Sequence, residues 1–237
     1  MPAGGTSTFH GAQVIENGEI RKEPEYLTSF WTDHALKFID QSAKNPDKPF
    51  FLFLAYNGPY GLSRYQLKPS GNRHEKFYAD KKMPSFPRGV IHPWEYNNRE
   101  YFGNPVSIRR YGEELSAVDD GVGSVMKKLK DLGLDDNTLV IFAADQGWAG
   151  GQHGFWGMGD HTRPINAFDF SMKIPMIFRQ PGKIPAGNTP DIHVTNYDFM
   201  PSVLSYLGMA DQMPTEPKSP GRDFSKAMLG EKTDKWD

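Results

Sequence analysis

The sequence predicts an α/β fold with a mostly parallel sheet and helices on both faces. Two short apolar runs, at 49–56 and 138–144, have the length and composition of strands buried on both faces. Segments with helical spacing alternate with these runs along the chain, which is typical of parallel sheets covered by helices. The length of 237 residues suits one large α/β domain or one to two ordinary ones.

The N-terminal half contains one predicted helix and one predicted strand. Apolar residues recur at helical spacing over 26–44, and no strand is predicted before this helix. The run PFFLFLAY (49–56) follows as the first strand and ends in an Asn-Gly-Pro turn signal. Residues 60–105 show little periodicity, and because irregular segments of this length are usually functional, they are predicted to form a long substrate-side loop region.

The C-terminal half contains the remaining predicted elements. A helix is predicted from Val106 to Leu132, where apolar side chains again recur at helical spacing. Three further strands are predicted at 138–144, 173–180 and 191–195. Asp198 is predicted to cap a last helix that ends at Gly208.

Composition excludes several classes of protein. With 27 Lys and Arg against 29 Asp and Glu, the formal charge of −2 does not fit a generally basic binder of nucleic acid. The chain has no cysteine, so it has no disulfide, thiolate metal site or cysteine nucleophile. No apolar run approaches the ~20 residues of a membrane span. The N-terminal stretch of this chain lacks the apolar run of a signal peptide. The composition predicts no particular oligomeric state.

Two oxygen donors follow the second predicted strand. Asp145 offers a carboxylate and Gln146 an amide carbonyl, at the strand end where α/β sheets bind ligands. Both are hard donors that suit Ca²⁺ or Mg²⁺. The alternative is that Asp145 caps the next turn, and position alone favours neither interpretation.

The segment from Gly150 to Pro164 combines five glycines with polar side chains. Glycine allows a loop backbone to approach a ligand closely. His161 and Arg163 could hold an anion or protonate a leaving group, whereas His153, a lone His in a tight turn, is more often structural. The alternative is a glycine-rich surface loop with solvated polar groups.

Several segments together carry a resemblance to a known family. In chain order they are KPFFLFLAYNGPYG, AVDDGVGSVMKKLKDLGL, DDNTLVIFAADQGWAGGQHGFWGMGD, KIPMIFRQPGKIPAG, NYDFMPSVLSYLG and GRDF. Their order and spacing resemble those of the sulfatases, within the alkaline-phosphatase-like superfamily. In that family a strand ends in Asp-Asn-Gly or Asp-His-Gly, and a Gly-Glu-His-Gly-type loop follows. The resemblance covers nearly the whole chain.

This resemblance implies a sulfuric ester hydrolase that uses a divalent cation, Ca²⁺ or Mg²⁺, and a formylglycine made from Cys or Ser. It makes Asp145 and Gln146 the second pair of metal ligands. Tyr60 falls where the family often has a sulfate-contacting His, and Met158 falls where it often has a sulfate-contacting Lys. These two positions and Gln146 depart from the family pattern. Gln146 can still donate a carbonyl oxygen, whereas Tyr carries no charge and Met cannot bind sulfate strongly.

We therefore expect other residues to complete the anion site. Tyr60 would donate a hydrogen bond, and His161 or Arg163 would supply the missing cationic donor. The family's Cys/Ser-x-Pro-x-Arg motif is not found in this sequence, since Ser85–Arg88 has its Arg one residue too early. The chain is thus expected to be a partial sulfatase domain, residues 1–237, incomplete at both ends and inactive alone, with its active-site loop at 145–164.

Other functions share this scaffold. A non-catalytic remnant that binds a sulfated glycan or a partner protein is one alternative, and a phosphodiester or phosphonate hydrolase is another. A sulfated small molecule or glycan is the expected substrate, and the family suggests a periplasmic or extracellular location. The expected pocket-wall residues are Tyr65, Arg73, His74, Arg88, His92 and Trp94.

Overall fold

The structure is a computed structural model that describes residues 9–60 and 64–233. Its contacts divide the chain into two compact units. Unit 1 comprises Met1–Leu132 and Gln146–Lys173, and unit 2 comprises Gly133–Asp145 and Ile174–Asp237.

Helices and short strands alternate irregularly along both units. In chain order the elements are β1 (Ala12–Glu16), β2 (Glu19–Glu23), α1 (Leu27–Ser42), α2 (Glu75–Tyr78), α3 (Pro105–Asp131), β3 (Val140–Ala143), β4 (Ala149–Gly150), β5 (Trp156–Gly157), α4 (Asp169–Met172), β6 (Met176–Arg179), α5 (Asn196–Tyr206) and α6 (Ser225–Met228). Short 3-10 helices occur at Arg64–Leu67, Asp135–Asn137, Gln152–Gly154, Gly159–His161 and Ala210–Gln212. In the part of the chain that the structure describes, none of the helices has the length and apolar character to cross a membrane.

The predicted long helices are confirmed. Helix α1 lies within the predicted range and buries Phe30 and Ile39. Helix α3 begins after Asn104, whose side-chain oxygen accepts a hydrogen bond from the Val106 amide at 2.9 Å, and Pro105 occupies its first position. An Asn cap followed by Pro is a strong helix start, because it satisfies one free N–H and removes another.

The last long helix differs from the prediction in its cap. Thr195 caps α5, and Asp198 lies at the third helical position. The Asp198 carboxylate accepts a hydrogen bond from the Thr195 amide at 2.8 Å. The two residues thus form a capping box, in which the cap and the third residue satisfy each other's backbone N–H.

A β-hairpin precedes α1, where no strand was predicted. Strands β1 and β2 pair antiparallel, with Ile15 opposite Ile20. The turn between them is Asn17-Gly18, and both residues have positive φ. An Asn-Gly pair between alternating apolar residues is a strong hairpin signal, so this hairpin was predictable from the sequence.

The strand pairings differ from the expected parallel sheet. Among the described residues, every sheet has two strands and is antiparallel: β1 with β2, β3 with β6, and β4 with β5. Parallel neighbours need a long crossover, usually a helix. Between β3 and β6 the longest helix is the four-residue α4, so the chain lacks the helical crossover that a parallel pair commonly uses.

Two predicted strands are wrong. The structure assigns no strand to 49–56 or to 191–195. In the first of these segments Phe51 is 86% and Phe53 is 81% exposed, while Leu52 and Leu54 are half-buried. The alternation shows that this apolar run covers unit 1 with one face, and among the described strands none pairs with its backbone.

Among the residues that the structure describes, three apolar clusters form the core. In unit 1 the first comprises Ala12, Val14, Leu27 and Phe30. The second, called the Trp156 cluster, comprises Tyr101, Ile108 and Trp156, against which Tyr60, Met83, Phe86, Phe102, Trp148 and Met158 pack. In unit 2 the third comprises Phe224, Ala227 and Met228. The Trp156 cluster matters most for function, because it supports the predicted active-site loop.

Candidate active site

A buried glutamate attaches the glycine-rich loop, which is the predicted active-site loop, to the segment 92–98. The Glu95 carboxylate accepts hydrogen bonds from the Trp156 amide at 2.8 Å and the Asn98 amide at 3.2 Å. The Asn98 side chain donates to the Trp156 carbonyl at 3.1 Å. Burial raises the pKa of Glu95, and the two amides that donate to it oppose that rise. Since leaving such buried groups unpaired is costly, Glu95 fixes the loop at Trp156.

Backbone contacts attach the loop at two further points. The His92 amide donates to the Gly154 carbonyl at 3.0 Å, and the Arg163 amide donates to the Trp94 carbonyl at 2.9 Å. Glu95 also forms an isolated antiparallel bridge with Thr162. Segment 92–98 therefore contacts the glycine-rich loop in its middle and at its C-terminal end.

Glycine is required at several positions of this loop, and two of them face residues 87–92. Gly151 has φ +115°, and a Cβ there would lie 2.1 Å from the Pro87 carbonyl oxygen. Gly154 has φ +83°, and its Cβ would lie 2.4 Å from the Val90 carbonyl oxygen. Backbone atoms cannot rotate away, so a side chain would separate the loop from residues 87–92. The Ser85–Arg88 stretch therefore serves as support for the loop.

His161 has a defined tautomer. Its Nδ1 accepts a hydrogen bond from the Met158 amide at 3.1 Å, so the ring proton lies on Nε2. Burial lowers the pKa of His161, Asp160 opposes this shift, and Arg163 adds to it. The imidazole is therefore neutral near pH 7 and presents an N–H donor without a positive charge.

Arg163 is the cation that the loop presents to solvent. Its Nη1 donates to the carbonyl oxygens of Asp160 and Thr162, both at 2.7 Å. A guanidinium has five N–H donors, so Nε and Nη2 retain three for an anion. The backbone contacts thus orient the fork that binds carboxylate or sulfate oxygens in a bidentate manner.

Tyr60 and Met158 share one environment. Both pack against the Trp156 cluster. A charged His or Lys placed against this apolar cluster would lose hydration, which explains physically why uncharged side chains suit both positions. The structure therefore links the two departures from the family pattern to a single apolar surface.

A buried ion pair supports the backbone of Tyr60, and sequence analysis missed it. Arg110 Nε donates to Glu114 Oε1 at 2.5 Å, and their side chains are 3% and 0% exposed. Gln66 donates to the Tyr60 carbonyl at 3.0 Å and to Glu114 at 3.2 Å. Burial raises the pKa of Glu114 to about 7, although Arg110 opposes this. The available signal was the i,i+4 spacing of Arg110 and Glu114 with Val118 on one face of α3.

The two expected metal ligands are consecutive residues that belong to different units. Asp145 is exposed and follows β3 in unit 2. Gln146, in unit 1, donates from Nε2 to the Ser171 carbonyl at 2.5 Å, which leaves Oε1 as an acceptor. A Cβ on Gly147 would lie 2.6 Å from the Phe170 carbonyl oxygen, so glycine allows this close contact with α4.

These two donors fit a hard cation, because both offer oxygen and neither offers sulfur. Over residues 9–60 and 64–233, no group of three or more His, Cys, Asp or Glu side chains could hold a metal ion. Asp145 and Gln146 supply only two oxygen donors, so a cation held by them would need further oxygen ligands.

The expected pocket-wall residues divide into two groups. Arg73 and His74 both pair with Asp120 of α3, and Arg88 donates to the carbonyls of Met83 and Phe86. Tyr65 contacts the ammonium of Lys68 at 5.5 Å from the ring centre. These four residues are engaged in local packing. His92 and Trp94, in contrast, are bound to the active-site loop.

The comparisons with known proteins agree on one family. The Sulfatase family model matches residues 4–209. The chain is 32% identical over 195 residues to an endo-4-O-sulfatase of Bacteroides thetaiotaomicron, covering 81% of this chain and 35% of that protein. It is 32% identical over 211 residues to an N-acetylgalactosamine-6-sulfatase of Canis lupus familiaris, covering 86% and 33%.

A solved structure agrees with these relatives. It is a Bacteroides thetaiotaomicron protein described in the context of the metabolism of multiple glycosaminoglycans. The match has a TM-score of 0.69 and 25% identity, and it covers 92% of this chain and 42% of that one. The chain thus spans about a third of the length of the two curated relatives. It has the alkaline-phosphatase-like α/β fold of its structural neighbours. The chain belongs to the sulfatase family.

Proposed function

We propose that this chain is part of an enzyme that hydrolyses sulfate esters of sugars. This proposal rests on Arg163. Its side chain is exposed, and two backbone carbonyls hold its guanidinium within the loop that resembles the sulfatase signature. The names of the two relatives, an endo-4-O-sulfatase and an N-acetylgalactosamine-6-sulfatase, support a sulfated glycan or amino sugar as the substrate.

Each residue of the proposed site has a separate task. Arg163 binds the sulfate oxygens through its free N–H groups. His161 offers its Nε2 proton, and the Tyr60 hydroxyl offers a further donor. Such donors stabilise charge that develops on sulfate oxygens or on the leaving oxygen.

Asp145 and Gln146 would contribute two oxygen ligands to Ca²⁺ or Mg²⁺. A bound divalent cation would neutralise sulfate charge. The nucleophile would be a formylglycine from a Cys/Ser-x-Pro-x-Arg segment, a pattern that this sequence does not contain. We therefore expect these 237 residues alone to bind sulfated ligands without repeated turnover, and we propose a periplasmic or extracellular location from the family resemblance.

The test of this proposal is the binding of N-acetylgalactosamine 4-sulfate in the presence of calcium. Arg163→Ala should weaken binding about 10-fold or more, since charge-assisted hydrogen bonds to an anion are worth about 1.5–3 kcal/mol. Isothermal titration calorimetry provides the measurement. Arg179→Ala removes an exposed arginine that pairs with Asp135 in unit 2 and serves as the matched control. Equal affinities for all three proteins would refute the assignment of Arg163.

A second prediction concerns the cation. In the full-length parent, which would supply the further oxygen ligands, Asp145→Asn should weaken calcium binding about 10-fold, because it removes one ligand charge while keeping the shape of the side chain. Gln146→Asn keeps the carbonyl donor and should be tolerated far better. Calcium titration followed by calorimetry measures both variants, with the exposed Asp47→Asn as the control. If calcium affinity were the same in Asp145→Asn as in the parent, Asp145 would be a turn cap.

The second candidate function is a non-catalytic module that binds sulfated glycans. It is favoured by Tyr60 and Met158, which pack on an apolar cluster where the family often has His and Lys. The two functions separate when the chain is produced together with a formylglycine-bearing segment. Turnover of an aryl sulfate would support the enzyme, and binding without turnover would support the module. Preferential turnover of a phosphonate monoester would indicate the related hydrolase.

A further inference from the structure

A continuous row of aromatic rings borders the active-site loop. The Trp94 and His92 rings lie 5.2 Å apart between centroids, and His92 and Phe155 lie 4.4 Å apart. Phe155 continues to Phe168 at 5.7 Å, and Phe168 to His153 at 6.3 Å. We call these five residues the aromatic ridge. The residues come from three separate stretches of sequence, so the ridge exists only in the folded chain.

The middle of the ridge is buried, and rings towards its ends are exposed to solvent. Phe155 is 1% exposed, whereas Trp94 is 40% and Phe168 is 42% exposed. Exposed aromatic surface gains free energy when a ligand covers it. Because Phe155 is fixed within unit 1, covering the exposed rings of Trp94 and Phe168 would require little further ordering of the protein.

Trp94 is also held in place from its backbone. Its carbonyl accepts the Arg163 amide at 2.9 Å, and its neighbour Glu95 is the buried carboxylate that binds the Trp156 amide. A side chain on such a fixed segment loses little conformational entropy on binding, so its contacts contribute more fully to affinity. The same hydrogen bond places the backbone of Trp94 beside the backbone of Arg163.

This combination fits one class of ligand. A pyranose ring has an apolar face of C–H groups, which packs well on a flat aromatic ring, and polar edges that remain in water. Sulfate groups on the same chain are anions that suit the guanidinium. An aromatic surface next to a cation therefore matches a sulfated oligosaccharide better than a small sulfate ester without a sugar ring.

Resting on the proposed function, we propose that Trp94 and Phe168 form a sugar-stacking subsite along the ridge, in which each ring contacts a different unit of a sulfated oligosaccharide beyond the unit held by Arg163. The subsite selects an oligosaccharide over a single sulfated sugar. The ridge thus determines the length of glycan that this protein prefers.

The experiment compares two ligands by calorimetry with calcium present, namely a chondroitin 4-sulfate tetrasaccharide and N-acetylgalactosamine 4-sulfate. Trp94→Ala and Phe168→Ala should each weaken tetrasaccharide binding about 3- to 10-fold, in line with the worth of an aromatic contact, and leave monosaccharide binding unchanged. Trp94→Phe should restore most of the affinity. Tyr96→Ala, an exposed aromatic on the same segment but outside the ridge, should change neither.

Three outcomes would overturn the subsite. They are equal affinity of the parent for both ligands, unchanged tetrasaccharide binding in both alanine variants, and a parallel loss for both ligands. Arg163→Ala separates this proposal from the proposed function. If it weakens both ligands while the ridge variants change nothing, the sulfate site stands and the subsite fails. If the ridge variants act selectively while Arg163→Ala changes nothing, the subsite stands and the assignment of Arg163 fails.

Discussion

Arg110→Met should destabilise the protein more at pH 8 than at pH 5, by up to about 1.4 kcal/mol. Without Arg110 the buried Glu114 carboxyl loses its partner and resists ionisation, and pH 8 lies one pH unit above its parent pKa of about 7. At pH 5 Glu114 is protonated, because burial raises its pKa to about 7, so the loss of the cation costs little. Urea unfolding at both pH values measures the difference.

The sign of the pH dependence follows from proton linkage. The folded pKa of Glu114 lies above its ordinary value of 4.5, so the native state binds more protons between these limits. The contribution of Glu114 to stability is therefore complete below about pH 4.5 and decreases as the pH rises to about 7. Removal of Arg110 raises the folded pKa further, and the variant should lose more stability than the parent over this range.

An exposed pair on the same helix provides the control. Lys127 and Asp131 have the same i,i+4 spacing on α3 as the buried pair, but both are exposed. Lys127→Met should change the free energy of unfolding by less than about 0.5 kcal/mol at either pH. An equal loss for Arg110→Met at pH 5 and pH 8 would contradict the role of Glu114, and a loss no larger than that of the control would contradict the buried pair.

Gly154→Ala should lower the free energy of unfolding by about 3 kcal/mol or more and abolish binding of sulfated sugars. A left-handed φ costs a side chain about 1–2 kcal/mol, and the added Cβ would also meet the Val90 carbonyl oxygen at 2.4 Å. The backbone at Val90 must then move, which breaks the bond from the His92 amide to the Gly154 carbonyl. Urea unfolding and calorimetry measure the two effects.

Gly18→Ala separates the clash from the φ effect. Gly18 has φ +87°, close to that of Gly154, but no heavy atom lies within 4 Å of its Cβ position. This variant should cost only the φ term, about 1–2 kcal/mol, and keep its ligand affinity. If the two variants were equally stable, the close packing of the loop on residues 90–92 would not limit stability.

The sequence by itself determined the helices and the family. Helices α1 and α3 follow from local information, namely apolar spacing and, for α3, the Asn104 cap, and local information does not depend on the rest of the fold. The family follows from the order and spacing of several motifs, and the match over residues 4–209 confirms it. The Asn17-Gly18 turn was equally local and also predictable, although the hairpin was missed.

Tertiary structure determines which faces of an apolar segment are exposed. An apolar run such as 49–56 has the same composition whether one face or both faces are buried. Phe51 and Phe53 are exposed because the run packs on unit 1 with its other face only, and composition carries no information about which faces are covered.

Tertiary structure also determines the arrangement of the candidate active site. Arg110 and Glu114 are charged residues that normally lie on a helix surface, and only the packing of α3 places them at 3% and 0% exposure. The neutral tautomer of His161 depends on the Met158 amide, and the orientation of the Arg163 guanidinium depends on two carbonyls. The aromatic ridge brings Trp94 to the loop that contains Phe155, about sixty positions away. Sequence fixes which groups are available, but burial and hydrogen bonding depend on distances that only the folded chain defines.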